Sequence, residues 1–211
     1  MKIKVRWRLL IGVLAAVVVL VASVRSAGAG IYRLAGSSMA PGLHVGDLVL
    51  VNKVAYGLKA PFTEQRLFQW SDPRRGDVVL VSIPTAEGGT MPAFKRIVGL
   101  AGDVVEIRGG RLLINGTEAR YQAGDPVALR GGLGAEGGRH QIETLAGLSY
   151  PVLLAEGACD DFAPAVVPQG HYFLLGDSRG NSRDSRHFGP LSRRSIHGRI
   201  SAVLSRAGAQ P

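Results

Sequence analysis

The chain has 211 residues, 46% of them hydrophobic and 19% charged, which is enough for one domain of ordinary size, alone or with a smaller inserted lobe. Its formal net charge of +9 is concentrated: Lys2, Lys4, Arg6, Arg8 and Arg25 fall in a start without acidic residues, seven arginines crowd residues 177–206, and the stretch between is close to neutral. With no zinc-ligand spacing, no helix-turn-helix pattern and no interleaving of basic and aromatic residues, this charge does not point to nucleic acid, and the lone Cys159, read as a small buried hydrophobe, excludes an intramolecular disulfide.

Residues 1–8 form a basic tail and 9–27 an apolar segment. Its core, LLIGVLAAVVVLVASV, has neither charge nor proline and would rise about 24 Å as a helix, slightly short of a hydrocarbon core. Trp7 and the stems of Arg8 and Arg25 can reach the interfaces. The basic flank keeps the N-terminus in the cytoplasm and sends the chain beyond Arg25 across the membrane. Taken alone, the segment reads equally as a retained anchor or as a cleavable signal ending near Ala27-Gly28-Ala29. Either reading places the domain from residue 30 to 211 outside the cytoplasm.

GSSMAPGL, 36–43, has the pattern of neither helix nor strand. After it, VGDLVLVNKVAY at 45–56 and GDVVLVSI at 76–83 alternate like half-buried strands, the second following the turn signal DPRRG. FKRIVGLAGDVVEI, 94–107, continues the pattern, and IRGGRLLING predicts a hairpin turning at Gly109-Gly110. The fold class is mainly β, an antiparallel sheet core. From about 117 to 168 the character changes, with a glycine-rich run at 130–139 and little alternation before YPVLLA, which predicts an inserted lobe carrying a mobile loop. GHYFLLGD, 170–177, is again a strand, and no segment beyond the N-terminus has the length and period of a long helix.

A serine hydroxyl attacks only when a base takes its proton, so Ser37 and Ser38 raise the question of that base. Of the five histidines, at 44, 140, 171, 187 and 197, none lies in a setting that supports a Ser-His-Asp triad. Lys95 is different: alternation puts it on the face of Ala93 and Ile97, where burial lowers an amine's pKa and makes it a base. The bland alternative is that Lys95 snorkels or pairs with an acid beside a surface Arg96. The polar run GDSRGNSRDSR, 176–186, is in the same way either a solvated loop or a source of hydroxyls and backbone groups that orient the amine.

In order along the chain, an N-terminal anchor, Ser38-Met39-Ala40-Pro41 with Gly46-Asp47, Arg75-Gly76-Asp77, Lys95-Arg96 with Val98-Gly99 and Gly102-Asp103, and Gly176-Asp177 through Asp184-Ser185-Arg186 resemble the type I signal peptidases. These are membrane-bound serine proteases that remove signal peptides from exported proteins. The resemblance covers most of residues 34–110 and 168–200. It implies that Ser38 is the nucleophile and Lys95 the general base, a dyad that needs neither metal nor cofactor. It also implies that Ser182 hydrogen-bonds the lysine, that Asp184–Arg186 and Asp177–Arg96 are supporting ion pairs, and that Met39 lines a shallow pocket for small residues, giving Ala-X-Ala cleavage sites. The Ser38 backbone N–H would serve the oxyanion. Gly36 stands on the substrate side where many members carry a serine donor, and Ser178 and Gly180 also depart from the usual pattern.

The implied partners are preprotein signal peptides and the lipid bilayer. The implied location is the cell membrane, with the anchor retained and the catalytic domain at its outer surface. A conjugative pilin-maturing peptidase shares this chemistry. A self-cleaving repressor shares it too, but lacks a place for the apolar segment. An inactive membrane-tethered β-domain that binds exported chains would leave Ser38 and Lys95 as ordinary residues.

Overall fold

In strand HYFLL the run from Tyr172 to Leu175 is unbroken by a charge because both its faces are buried: Phe173 and Leu175 enter one core cluster, Tyr172 and Leu174 another. The computed structural model describes residues 7, 11–13, 28–59, 66–124, 138–155 and 161–207. Most of the apolar segment at 9–27, the run 130–137 and Cys159 lie outside these residues. Among the described residues, no helix is long and apolar enough to cross a membrane.

In chain order the strands are β1 (Ala29–Arg33), β2 (Leu48–Asn52), β3 (Gly57–Lys59), β4 (Arg66–Gln69), β5 (Val78–Pro84), β6 (Thr90–Gly99), β7 (Val104–Arg108), β8 (Arg111–Ile114) and β9 (Thr117–Glu118). They continue with β10 (Arg120–Ala123), β11 (Gly138–Leu145), β12 (Leu148–Ala155), β13 (Phe162–Val166), β14 (His171–Leu175), β15 (Leu191–Ser192) and β16 (Ile196–Ser205). The main sheet has the order β1-β2-β16-β5-β6-β14-β15, all antiparallel. A four-stranded sheet runs β13-β7-β8-β9, a three-stranded sheet β10-β11-β12, and β3 and β4 make a ribbon.

β5 shows how alternation becomes packing. Val79 and Val81 face the cluster of Ile97, Leu174 and Ile196, while Leu80 faces the opposite cluster of Leu34, Met39, Leu43, Val49 and Val51. The hairpin at Gly109-Gly110 forms as the sequence predicts, with Arg108 opposite Arg111 and φ of 55° and 76° at the two glycines. The Gly-Asp pairs 46–47, 76–77 and 102–103 are one turn used three times. Each glycine has φ near 90°, and each aspartate carboxylate accepts the N–H three residues back, from His44, Arg74 and Leu100. Those aspartates hold strand entries and are not brought to the site below.

The stretch from 117 to 168 spans two sheets. β9 and β13 belong to the sheet of β7 and β8, and residues 120–155 supply the three-stranded sheet. Where weak alternation predicted irregular chain before YPVLLA, β11 is a regular eight-residue strand paired along its length with β12. Its burial is mixed because this sheet packs against both the core and the polar loop after β14, which blurs a two-residue period.

Candidate active site

Ser38 sits half-buried in a tight turn, in which Ala40 N donates to Ser37 O and Leu43 N to Met39 O. Met39, expected to line a substrate pocket, is packed into the core with 1% of its surface exposed, so it holds the serine turn down from beneath. Gly36 is exposed, its φ lies outside the left-handed region, and a Cβ placed there meets nothing within 4 Å.

The serine turn docks on the polar loop that follows β14. Ser178 N donates to Ser38 O at 3.1 Å, and Asn181 Nδ2 to Ser37 Oγ at 2.9 Å. Gly176 is the point of contact. A Cβ there would come within 2.6 Å of Ser38 O and 2.5 Å of the Ser182 Cβ, so only glycine lets the two serines approach this closely. The Gly176 N–H donates to Asp184 Oδ2 at 3.0 Å, and Arg179 Nε donates to Gly176 O at 3.1 Å.

Lys95 arrives on β6, opposite Val79 and one residue before Arg96, which pairs with Leu175 of β14. Its side chain is 2% exposed, as its position in an apolar strand requires. Burial brings its pKa down from 10.5 to about 8, with Asp184 and Asp177 acting against the fall and Arg186 adding to it. Burial is the larger effect, and both acids are themselves held by arginines. Arg96 takes Asp177 with a two-pronged fork at 2.8 and 2.7 Å, and Arg186 takes Asp184 at 2.8 and 2.9 Å. Burial also works against the Asp184 carboxylate, but Arg186, Gly176 N–H and the nearby Ser182 hydroxyl outweigh it and hold its pKa below the usual range. Ser182 Oγ is itself buried and makes no hydrogen bond of normal geometry among the described residues.

The expected set therefore converges in part. Ser38, Ser182, Asp184, Arg186, Asp177 and Arg96 all meet around the loop 176–186, and Lys95 lies in the field of its charges. One cluster went unnoticed in the sequence. Glu143 on β11 is fully buried and takes Arg179 Nη2 at 2.7 Å, while the hydroxyls of Tyr121 and Tyr150 donate to it at 2.6 and 2.5 Å. Tyr121, Glu143 and Tyr150 form one cross-strand row. A carboxylate between aromatic residues on strands was the available signal. Among the described residues no three His, Cys, Asp or Glu side chains converge as metal ligands would.

This arrangement provides a hydroxyl, a buried amine that can be neutral, and acids neutralised by their own arginines. The chain matches the family described as signal peptidase, peptidase S26, over residues 5–205. It belongs to that family. It is 35% identical over 166 residues to a signal peptidase I of Pseudomonas fluorescens, covering 74% of this chain and 54% of the relative. To a signal peptidase I of Aquifex aeolicus it is 29% identical over 206 residues, covering 82% and 74%. The chain thus spans about half the length of the Pseudomonas relative. A solved signal peptidase I structure from Enterococcus faecalis V583 aligns at 27% identity with a TM-score of 0.36, covering 64% of this chain and 98% of that one.

Proposed function

We propose that this chain is a membrane-anchored signal peptidase that cleaves exported preproteins after small residues, with Ser38 as nucleophile and Lys95 as general base. The observation that carries the proposal is Lys95: an amine buried on an apolar strand, with a pKa of about 8 and its neighbouring acids paired away from it. Neutral Lys95 takes the Ser38 proton as Oγ attacks the scissile carbonyl carbon, and the Ser38 N–H donates to the oxyanion. The protonated amine then gives its proton to the departing amino group as the C–N bond breaks, leaving an acyl-serine. Lys95 next draws a proton from the water that hydrolyses this ester. The buried Ser182 hydroxyl, without a hydrogen bond of normal geometry among the described residues, is the group left to orient the amine, and the two arginine–aspartate pairs hold the loop that carries it.

A substrate in extended form is supported by β6. β14 meets β6 only from Arg96 to Gly99, so on that edge residues 90–95 have no strand partner among the described residues, and a peptide can add there as a strand. The anchor at 9–27 rests on its hydropathy and basic flank, which place the N-terminus in the cytoplasm and this site across the membrane.

The test uses the full chain in detergent with a preprotein bearing an Ala-X-Ala site. Wild type cleaves it, whereas Ser38→Ala and Lys95→Arg do not, although both remain folded. Arginine stays protonated and cannot accept the serine proton. Substantial turnover by the folded Lys95→Arg protein sinks the dyad, and retained binding without any cleavage by wild type returns the chain to the inactive β-domain.

A further inference from the structure

We infer that Arg179, locked in place by Glu143, is a positioning residue for this site: it fixes Gly176, the residue on which the Ser38 turn and Ser182 both rest. The inference deepens the peptidase reading and rests on it. Arg179 and Glu143 are both buried, 36 positions apart in sequence, one in the loop after β14 and the other in the three-stranded sheet. A buried ion pair commonly returns little more than its desolvation cost, so stability alone is a weak reason for it. Its geometry gives a better one. The guanidinium that Glu143 holds through Nη2 turns Nε onto Gly176 O, while Asp184 takes the Gly176 N–H. Gly176 is thereby gripped at both its polar atoms by charged side chains. Ser38 O and Ser182 both press into the space that a side chain at this position would need.

The same grip reaches the lysine's surroundings. Arg186 Nη2 donates to Arg179 O at 2.7 Å, so the Asp184–Arg186 pair hangs from the residue that Glu143 anchors. Tyr150, which donates to Glu143, also carries the Arg96 guanidinium on its ring at 4.1 Å, and Arg96 holds Asp177. The three-stranded sheet is therefore a brace for the catalytic loop. If the brace is released, the loop relaxes, water reaches Lys95, and the serine turn loses its seat on Gly176.

Glu143→Gln alone leaves Arg179 buried and unpaired, so the decisive variant is Glu143→Gln/Arg179→Met, which leaves no orphan charge. Three quantities are measured on the full chain in detergent: the melting temperature, the titration midpoint of Lys95 by NMR of carbon-labelled lysine, and kcat and KM on a preprotein. The double variant is expected to fold, with KM within about twofold of wild type and kcat down roughly 10- to 100-fold, the scale of a small misplacement of reacting groups. Its Lys95 midpoint should rise toward that of ordinary lysine. A folded double variant with wild-type kcat and Lys95 midpoint overturns the inference. If the double variant does not fold, Tyr150→Phe takes its place: it keeps the ring under Arg96 and removes one donor to Glu143, and an unmoved Lys95 midpoint there counts against the inference equally. Loss of the peptidase reading would show separately, as absent cleavage by wild type or cleavage by Ser38→Ala, while the Lys95 titration needs no turnover.

Discussion

Replacing Lys95 by methionine should make the protein more stable at neutral pH while abolishing its activity. Methionine keeps most of the side chain's length and apolar stem and removes only the amine, which lies on a strand face with 2% of the residue exposed. Burial sets the folded-state pKa at about 8 against 10.5 for a solvated lysine. Between these values the unfolded chain holds a proton that the folded chain has given up, so stability rises with pH across that window. Below about pH 8 the folded protein carries the whole penalty. At about 1.4 kcal/mol for each unit of difference, the penalty is roughly 3 kcal/mol. Lys95→Met should therefore exceed wild type by about that amount at pH 7, and the two should converge as pH approaches 10.5. Urea denaturation of both proteins at half-unit steps from pH 7 to 10.5, followed by tryptophan fluorescence, measures the difference. Other titrating groups are common to the pair and cancel. Curves that run parallel across this range would mean that Lys95 is not held neutral by burial, and the general-base assignment would lose its physical basis.

With Lys95 as the proposed base, kcat/KM should rise about tenfold per pH unit below a single step near pH 8 and then level off, because only the neutral amine accepts a proton. A bell centred well below 7 would point to a different base. Gly176→Ala should lower kcat by roughly 100-fold or more, since its Cβ meets Ser38 O at 2.6 Å and that backbone atom cannot rotate aside. Wild-type kcat in this variant would show that the Gly176 contact does not place the serine. Gly36→Ser is expected to leave the melting temperature unchanged, its φ being ordinary and its Cβ unobstructed, and to raise kcat toward the 10²-fold scale (about 2.7 kcal/mol) of one oxyanion donor. Unchanged kcat, with chemistry shown to be rate-limiting, would mean that another donor already serves the oxyanion.

Much of the site was legible before any coordinate, for a local reason. Alternation along AFKRIVGL puts Lys95 and Ile97 inward and Arg96 between them, and β6 has this arrangement because a strand's side-chain period is fixed by its own backbone. The repeated Gly-Asp turns and the Gly109-Gly110 hairpin are legible for the same reason, each being closed by residues within a few positions of one another. Ser38 and the loop 176–186 could be named from motifs and their order, but not joined by periodicity.

Which charge neutralises which is settled only in three dimensions. Periodicity does not join Asp177 to Arg96 across 81 positions, a pairing that only the motif resemblance implied, and nothing along the chain says that Glu143 belongs to Arg179. Nor does Met39 in its motif announce that it faces the core. Sheet order and register set these neighbours, as does the packing of residues 120–155 against the loop after β14. A buried charge's pKa depends on that three-dimensional neighbourhood, so the sequence could nominate Lys95 as a base while its burial, with Asp184, Arg186 and Asp177 around it, sets the pKa on which the proposal rests.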